Sequence, residues 1–236
     1  MTISLVTGGA GFIGSHIVEQ LINIGHEVVV VDNEYSDNEN FHWRDDTYNI
    51  NIDITDKALK NAFTNVDYVF HLAAEARIGP AIENPVNAVN INTIGTCNVL
   101  QCARDAGVKK VMYSSTSSGY GLNPSPNDET QPDDCLNPYS VSKVAGEKIC
   151  KMYTDLYGLK TVIFRYFNVF GERAPKKGQY APVIGIFLRQ RASGEKLTIV
   201  GDGEQRRDFV YVKDVANANI MAALSNADDE AYGQVY

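Results

Sequence analysis

"ISLVTGGAGFIGSHIVEQLINIGHEVVVVD", residues 3–32, decides the fold. Ile3 to Thr7 is a short apolar run that breaks into glycines. Residues 11–25 then place Phe12, Ile13, Ile17, Leu21 and Ile24 at helical spacing and close on Gly25. Residues 27–32, "EVVVVD", are apolar without alternation, as expected of a strand covered on both faces. A strand, a helix and a strand within 30 residues form one parallel unit. Outward from it the pattern repeats. Apolar runs recur at "VDYVFHLAA" (66–74), "VKKVMYSS" (108–115) and "LKTVIFRYF" (159–167), with helical stretches near 86–106 and 138–157 between them. The fold class is α/β, a doubly wound parallel sheet. Residues 33–46 and 121–134 read as loops; the second is rich in Pro, Asp and Asn and should cap strand ends. After residue 166 the regular alternation gives way to shorter pieces. A parallel-sheet domain over 1–166 and a smaller region over 167–236, interleaved with it, are expected.

Composition narrows the function classes. The 236 residues suffice for one large domain, or one domain and a small lobe. At 44% hydrophobic content a sizeable core can form. The net charge of -8 argues against nucleic-acid binding and gives no reason to expect attraction to anionic membranes. No apolar run reaches bilayer length, and the chain enters its first strand directly after Met1 without a basic, cleavable leader, so a cytoplasmic location is expected. Cys97, Cys102, Cys135 and Cys150 lack metal-type spacing and read as reduced thiols. No metal is expected.

The glycines of "TGGAGFIGSH" (7–16) fit two phases: Gly9, Gly11 and Gly14 as GxGxxG, or Gly8, Gly11 and Gly14 as GxxGxxG. Either lets the backbone turn sharply and approach a pyrophosphate at a helix N-terminus. Asp32, ending the next strand, can accept from the adenosine ribose hydroxyls and would repel a 2′-phosphate, favouring NAD over NADP. The bland alternative is a glycine turn with Asp32 as a strand cap. Asp53 and Ile54, after the third strand, could flank the adenine; Asp53 could equally cap a helix.

"NPYSVSK" (137–143) sets Tyr139 and Lys143 four apart, on one helix face, with Pro138 suited to the first turn. A tyrosine ionises near ~10, and a neighbouring ammonium is expected to lower that value. Such a phenol can take a proton from a sugar hydroxyl while hydride leaves the same carbon. The hydroxyl cluster "YSSTSSGYG" (113–121) follows a strand, and Thr116 is its candidate for holding the substrate oxygen.

These stretches, with "HLAAEA" (71–76), "NTIGT" (92–96), "RYFNVFGER" (165–173) and "GDGEQRRDFVYVKDV" (201–215), resemble the extended short-chain dehydrogenase/reductases, in the branch of NAD-dependent nucleotide-sugar epimerases and dehydratases. The resemblance covers nearly all of the chain and is nearest to UDP-hexose 4-epimerases, including those acting on UDP-N-acetylhexosamines. It implies a Rossmann-like sheet and tightly held NAD. Gly8, Gly11, Phe12, Ile13 and Gly14 match the pyrophosphate turn, Asp32 and Asn33 the ribose contact, and Asp53 and Ile54 the adenine contact. Leu72, Ala73, Ala74, Asn92, Ser114 and Tyr166 match further cofactor contacts, shared with Tyr139 and Lys143. Thr116, Tyr139 and Lys143 match the catalytic trio. Asn168 and Arg207 match residues that meet the diphosphate, and Val183 and Thr198 lie where the family packs the uridine. A UDP-sugar substrate and a homodimer are implied, the latter through helices near 86–106 and 138–157.

The resemblance also divides the branches. Dehydratases carry an acid pair after the Ser/Thr, and decarboxylases a glutamate two residues beyond it; here Ser117 and Ser118 follow Thr116. Oxidation and re-reduction at C4, through a 4-keto sugar, need only Thr116, Tyr139, Lys143 and NAD. A 4-ketoreductase or dehydratase-like enzyme, or a non-catalytic nucleotide-binding fragment, is the alternative. Three departures stand out: Gly119 in place of a bulkier apolar residue, Ala76 and Ala81 in place of polar types, and an ending at "YGQVY", a strand that relatives follow with a further stretch completing the sugar pocket.

Overall fold

Each apolar run of the sequence becomes a strand of one sheet. β1 is Ile3–Thr7, followed by α1 (Phe12–Asn23), β2 (Glu27–Asp32), β3 (Tyr48–Asn51) and β4 (Tyr68–His71). Then come α2 (Ile78–Glu83), α3 (Pro85–Val89), a π-helical turn over Asn90–Gly95, α4 (Thr96–Asp105) and β5 (Lys110–Thr116). The rest comprises α5 (Pro138–Tyr157), β6 (Thr161–Tyr166), β7 (Asn168–Phe170), α6 (Val183–Ala192), β8 (Phe209–Tyr211) and α7 (Val212–Leu224). The computed structural model describes residues 1–36, 41–175, 183–226 and 229–236.

The main sheet runs β3-β2-β1-β4-β5-β6, all parallel. Strand order reverses between β1 and β4, so the crevice for a ligand opens at the carboxyl ends there. Thr7, Asp32, His71, Thr116 and Tyr166 end five of the strands. The ending "YGQVY" pairs beside β6: the N–H of Tyr236 donates to Ile163 O at 2.8 Å, and that of Arg165 to Tyr236 O at 2.9 Å.

Successive residues on a strand face opposite ways, so an unbroken apolar run needs cover on both sides. Leu5 and Val69 pack with Val99, Leu100, Cys150 and Tyr153 of α4 and α5. Val6 and Phe70 pack with Ile17 and Leu21 of α1 and with Ala216 and Ile220 of α7. Because α7 shares a layer with α1, residue 166 divides sequence texture rather than layers. The 86–106 helix has a π-helical turn in its middle, and that turn carries Asn92. No helix among the described residues is long and apolar enough to cross a membrane.

Candidate active site

The turn after β1 resolves the phase of the glycines. Gly8 has φ +69°, and a Cβ there would lie 2.8 Å from Ala73 N. Its own N–H donates to Val31 O at 2.7 Å. A Cβ on Gly14 would meet Gly8 O at 2.2 Å, so helix and turn touch backbone to backbone. Gly11 is the N-cap of α1, and the nearest atom to a Cβ there is Gly8 O at 3.3 Å. A Cβ on Gly9 would be as crowded, 2.9 Å from Val6 O and Val30 Cγ1, but only Gly8 has a positive φ, so Gly8, Gly11 and Gly14 make the turn. No side chain caps α1, and the first helical N–H to find a partner is that of Ser15, on Gly11 O. Phe12, Ile13 and Gly14 thus offer N–H groups at the positive end of a 12-residue helix, which fits a pyrophosphate.

Across the crevice, Asp32 accepts from Ala10 N–H at 3.1 Å and Glu34 N–H at 2.9 Å. Burial pushes its carboxyl up, against the pull of those backbone N–H groups. Asn33 and Asp53 come together, the amide donating to the carboxylate at 2.8 Å. Asp53 otherwise accepts from Thr55, and it is Asp56 that caps the following turn, so Asp53 is not the helix cap. For Ile54 only the backbone remains for an adenine contact. Its side chain is buried, and a Cβ on Gly95 would lie 2.6 Å from its Cδ1. Packed into the π-helical turn, that side chain cannot flank an adenine.

At the end of β4 a closed relay fixes a neutral histidine. Thr7 Oγ1 accepts from Leu72 and Ala73 N–H at 3.2 and 3.3 Å and lies 2.7 Å from His71 Nδ1. His71 Nε2 lies 2.9 Å from Thr96 Oγ1, which donates to Asn92 O at 2.6 Å. With the Thr96 proton on that carbonyl, the His71 proton sits on Nε2 and Nδ1 accepts from Thr7. Burial, with Lys143 nearby, pulls His71 down to about 3. Leu72, Ala73 and Ala74 follow directly and face the glycine turn through Ala73. Asn92 likewise has its side chain engaged: its Oδ1 accepts from Glu75 N–H at 2.8 Å, and its Nδ2 donates to Glu75 O and Ser142 Oγ at 3.0 and 2.9 Å. With both amide hydrogens taken up, it braces the crevice rather than offering a donor to a cofactor.

Thr116, Tyr139 and Lys143 converge from β5 and α5. Asn137 caps α5 by accepting from Ser140 N–H at 2.9 Å, and Pro138 fills the first turn. The Thr116 hydroxyl accepts from Ser118 N–H at 3.1 Å and lies near enough to the Tyr139 phenol to lower it. Burial raises the Tyr139 phenol above its usual value, the Thr116 hydroxyl opposes this, and the negative charge of Glu75 adds to it. The expected lowering by Lys143 is overturned: desolvation of the anion raises the phenol, and Lys143 is not among the groups that act on it. Lys143 Nζ lies over the Tyr113 ring at 4.3 Å, and burial pulls the ammonium down to about 8, against Cys150 and Glu147. Tyr166 stands opposite Thr116 in the sheet, its hydroxyl held by Ser114 at 3.2 Å and by Asn219; burial pushes it up to about 12.

Behind the trio, Arg165 forks onto Glu147, with Nε–Oε1 at 2.8 Å and Nη2–Oε2 at 2.6 Å, and also pairs with Asp133 of the 121–134 loop. Glu147 further accepts from Ser115. The guanidinium lies 3.5 Å from where a Gly119 Cβ would be, and Val144 closes in from the other side at 2.9 Å, so Gly119 leaves no empty space there. Glu75, Asn219, His71 and this ion pair were missed from sequence, since each gains meaning only from a partner distant along the chain.

The substrate candidates divide. β7 pairs with β8, and Asn168 donates to Asp208 O at 2.8 Å, bringing it beside Arg207. Arg207 is exposed, donating to Arg206 O at 2.7 Å. Val183 opens α6, exposed, and Thr198 is tied to Gln190 of the same helix by two hydrogen bonds, at 2.7 and 3.2 Å. No hydrogen bond or ion pair joins these two to the Asn168–Arg207 pair among the described residues.

Known proteins are similar to this chain over most of its length. A Methanocaldococcus jannaschii protein assigned as a UDP-glucose 4-epimerase is 44% identical over 222 residues, 92% of this chain and 72% of its own. The UDP-N-acetyl-alpha-D-glucosaminuronate decarboxylase of Bacillus cytotoxicus is 40% identical over 98% of this chain and 73% of its own. The solved UDP-N-acetylglucosamine 4-epimerase of Methanobrevibacter ruminantium, in complex with UDP-N-acetylmuramic acid, superposes with a TM-score of 0.91 at 38% identity, over 96% of this chain and 74% of its own. The sequence matches one family over residues 4–236, and the chain belongs to it: the NAD dependent epimerase/dehydratase family.

Proposed function

We propose that the protein inverts C4 of a UDP-hexose through a transient 4-keto sugar, using NAD that stays bound. The observation that carries this reading is the Thr116–Tyr139–Lys143 cluster in a crevice where Ser117 and Ser118, not acids, follow Thr116. Elimination and decarboxylation would lack the acid groups they use in relatives. NAD supplies the hydride acceptor at C4 and the donor that returns it. The chain's residues handle the proton. Tyr139 removes it from the C4 hydroxyl as the carbonyl forms, and returns it to the same oxygen after the sugar has turned. Thr116 has a single proton, which it donates to that oxygen or to the Tyr139 anion in turn. Lys143, with its proton held less tightly than usual, supplies positive charge to the crevice at neutral pH.

Gly8, Gly11, Phe12, Ile13 and Gly14 would hold the pyrophosphate, and Asp32 the adenosine ribose. Arg207 and Asn168 would take the UDP diphosphate, supplying the local cation that a chain of net charge -8 needs. The reading carries with it a cytoplasmic homodimer. Val86, Val89 and Ile94 of one helical stretch and Met152 and Leu156 of α5 are exposed, which suits a helix-to-helix interface. Proton NMR with a panel of UDP-hexoses tests the chemistry: a C4 epimer without added cofactor is expected. A 4-keto product accumulating against reduced nicotinamide, or loss of carbon dioxide from a hexuronate, would overturn the reading.

A further inference from the structure

Tyr35 reaches across the mouth of the crevice. Its hydroxyl accepts from Asn87 Nδ2 at 2.8 Å, a bond between side chains 52 residues apart. Local structure aims both ends of this bridge. At the near end Glu34 has φ +55°, a left-handed conformation uncommon outside glycine. Its N–H donates to Asp32 Oδ1 at 2.9 Å, and its Oε1 accepts from Trp43 Nε1 at 2.7 Å. Asn33 Oδ1 accepts from the Tyr35 N–H at 3.2 Å, while the Asn33 amide donates to Asp53 at 2.8 Å. A backbone kept left-handed in this way persists only where its surroundings hold it, and here it turns Tyr35 back over the crevice. At the far end Asn87 lies on α3, where its N–H donates to the capping Asn84 Oδ1 at 3.1 Å. Burial raises the Tyr35 phenol, and the Glu75 carboxylate after β4 adds to this, so the hydroxyl keeps its proton. The bridge therefore joins the end of β2 to the elements that follow β4. In the sheet β1 lies between those two strands. Two strand spacings are roughly 10 Å, and the span passes over the carboxyl end of β1, where the glycine turn sits. Tyr35 is 45% exposed, which sets the bridge at the mouth of the crevice and not on its floor.

We propose that the Tyr35–Asn87 bridge is a clasp over the dinucleotide, which must open for NAD to enter or leave. This rests on the reading of the crevice as one that keeps NAD through both hydride transfers, and deepens it. Between those transfers the reduced cofactor and the 4-keto sugar have to stay together, and a clasp shut over the stretch between Asp32 and the glycine turn holds the dinucleotide for that interval. The bridge is closed in the ligand-free chain too. It therefore slows passage in both directions and leaves the equilibrium unaltered.

The test compares the full chain with Tyr35→Phe, Asn87→Ala and the double variant. Release is followed by loading each with NAD and chasing with an excess of isotopically labelled NAD, the bound dinucleotide being read by mass spectrometry. Entry is followed by mixing the stripped proteins with NAD in a stopped-flow instrument. Each single variant should speed release and entry by the same factor, roughly three- to tenfold, as for loss of one neutral hydrogen bond, with the equilibrium affinity unchanged. The double variant should be no faster than either single one, because both remove the same bond. Unaltered rates overturn the proposal. So does faster release with unaltered entry, which would make Tyr35 a direct contact of the bound cofactor, and so do effects that add in the double variant. A wild-type protein that exchanges NAD as expected but epimerises no UDP-hexose sinks the epimerase reading alone; one that binds no NAD sinks the proposal as well.

Discussion

Burial works against both charged forms in the proton-transfer pair, and this sets the behaviour of single residues. Thr116 is the group that lowers the Tyr139 phenol. Thr116→Val should therefore move the alkaline-rising limb of the turnover profile to higher pH, with kcat falling more than KM rises. A profile unmoved along the pH axis would count against a role for that hydroxyl. Tyr139→Phe should cut turnover by about a thousand-fold, within the range for a general base, as followed by the C4 epimer signal. Lys143 is 3% exposed, and its folded-state value of about 8 lies below the ordinary 10.5. Between those values the unfolded chain keeps a proton that the folded chain has released, so stability from this group rises with pH across that window. Below it, the buried ammonium costs about 3 kcal/mol. Denaturant unfolding from pH 7 to 10.5 should show that rise in the wild-type protein relative to Lys143→Met; parallel curves would sink the assignment.

Elements meet at glycines where no side chain fits. Gly14 on α1 abuts the Gly8 carbonyl, and Gly146 on α5 leaves room for Tyr113, whose hydroxyl donates to Lys143 O at 3.1 Å. A Cβ on Gly146 would lie 2.2 Å from that hydroxyl. Gly146→Ala must push α5 off β5 or swing the Tyr113 ring, and should cost about 1–3 kcal/mol, as overpacking does. Gly14→Ala meets backbone instead, which cannot rotate away, and should lower NAD affinity as well as the melting temperature. Equal affinity in that variant would show that the helix end does not hold the pyrophosphate.

At the scale of the molecule, one buried ion pair joins four parts. Arg165 of β6 and Glu147 of α5 have side chains 4% and 2% exposed, and reach Ser115 of β5 and Asp133 of the 121–134 loop. Removing one partner strands the other charge. Glu147→Ala should destabilise by about 3–5 kcal/mol, measured by denaturant unfolding, and Arg165→Lys should recover little because the two-pronged contact is lost. A cost under about 1 kcal/mol for Glu147→Ala would mean that water reaches the pair. This network holds the strand carrying Thr116 against the helix carrying Tyr139, so its loss should reduce turnover as well.

The parallel sheet, the glycine turn and the Tyr139–Lys143 face were legible in the sequence because each depends on neighbours within a few residues: unbroken apolar runs, a strand that breaks into glycines, a spacing of four on a helix. Positions 8, 9 and 14 are tight and position 11 is open, and of the first two only Gly8 has a positive φ, which the folded backbone alone decides. The same holds for charge. Spacing suggested that Lys143 lowers Tyr139, whereas burial, set by the whole fold, raises the phenol and lowers the ammonium. The Ile54 side chain packs into the core and the Asn92 amide clamps Glu75, and the sequence hid both for one reason. Each is defined by a partner far along the chain — Gly95 for the first, Glu75 and Ser142 for the second — and only folding brings those partners within a hydrogen bond or a van der Waals radius.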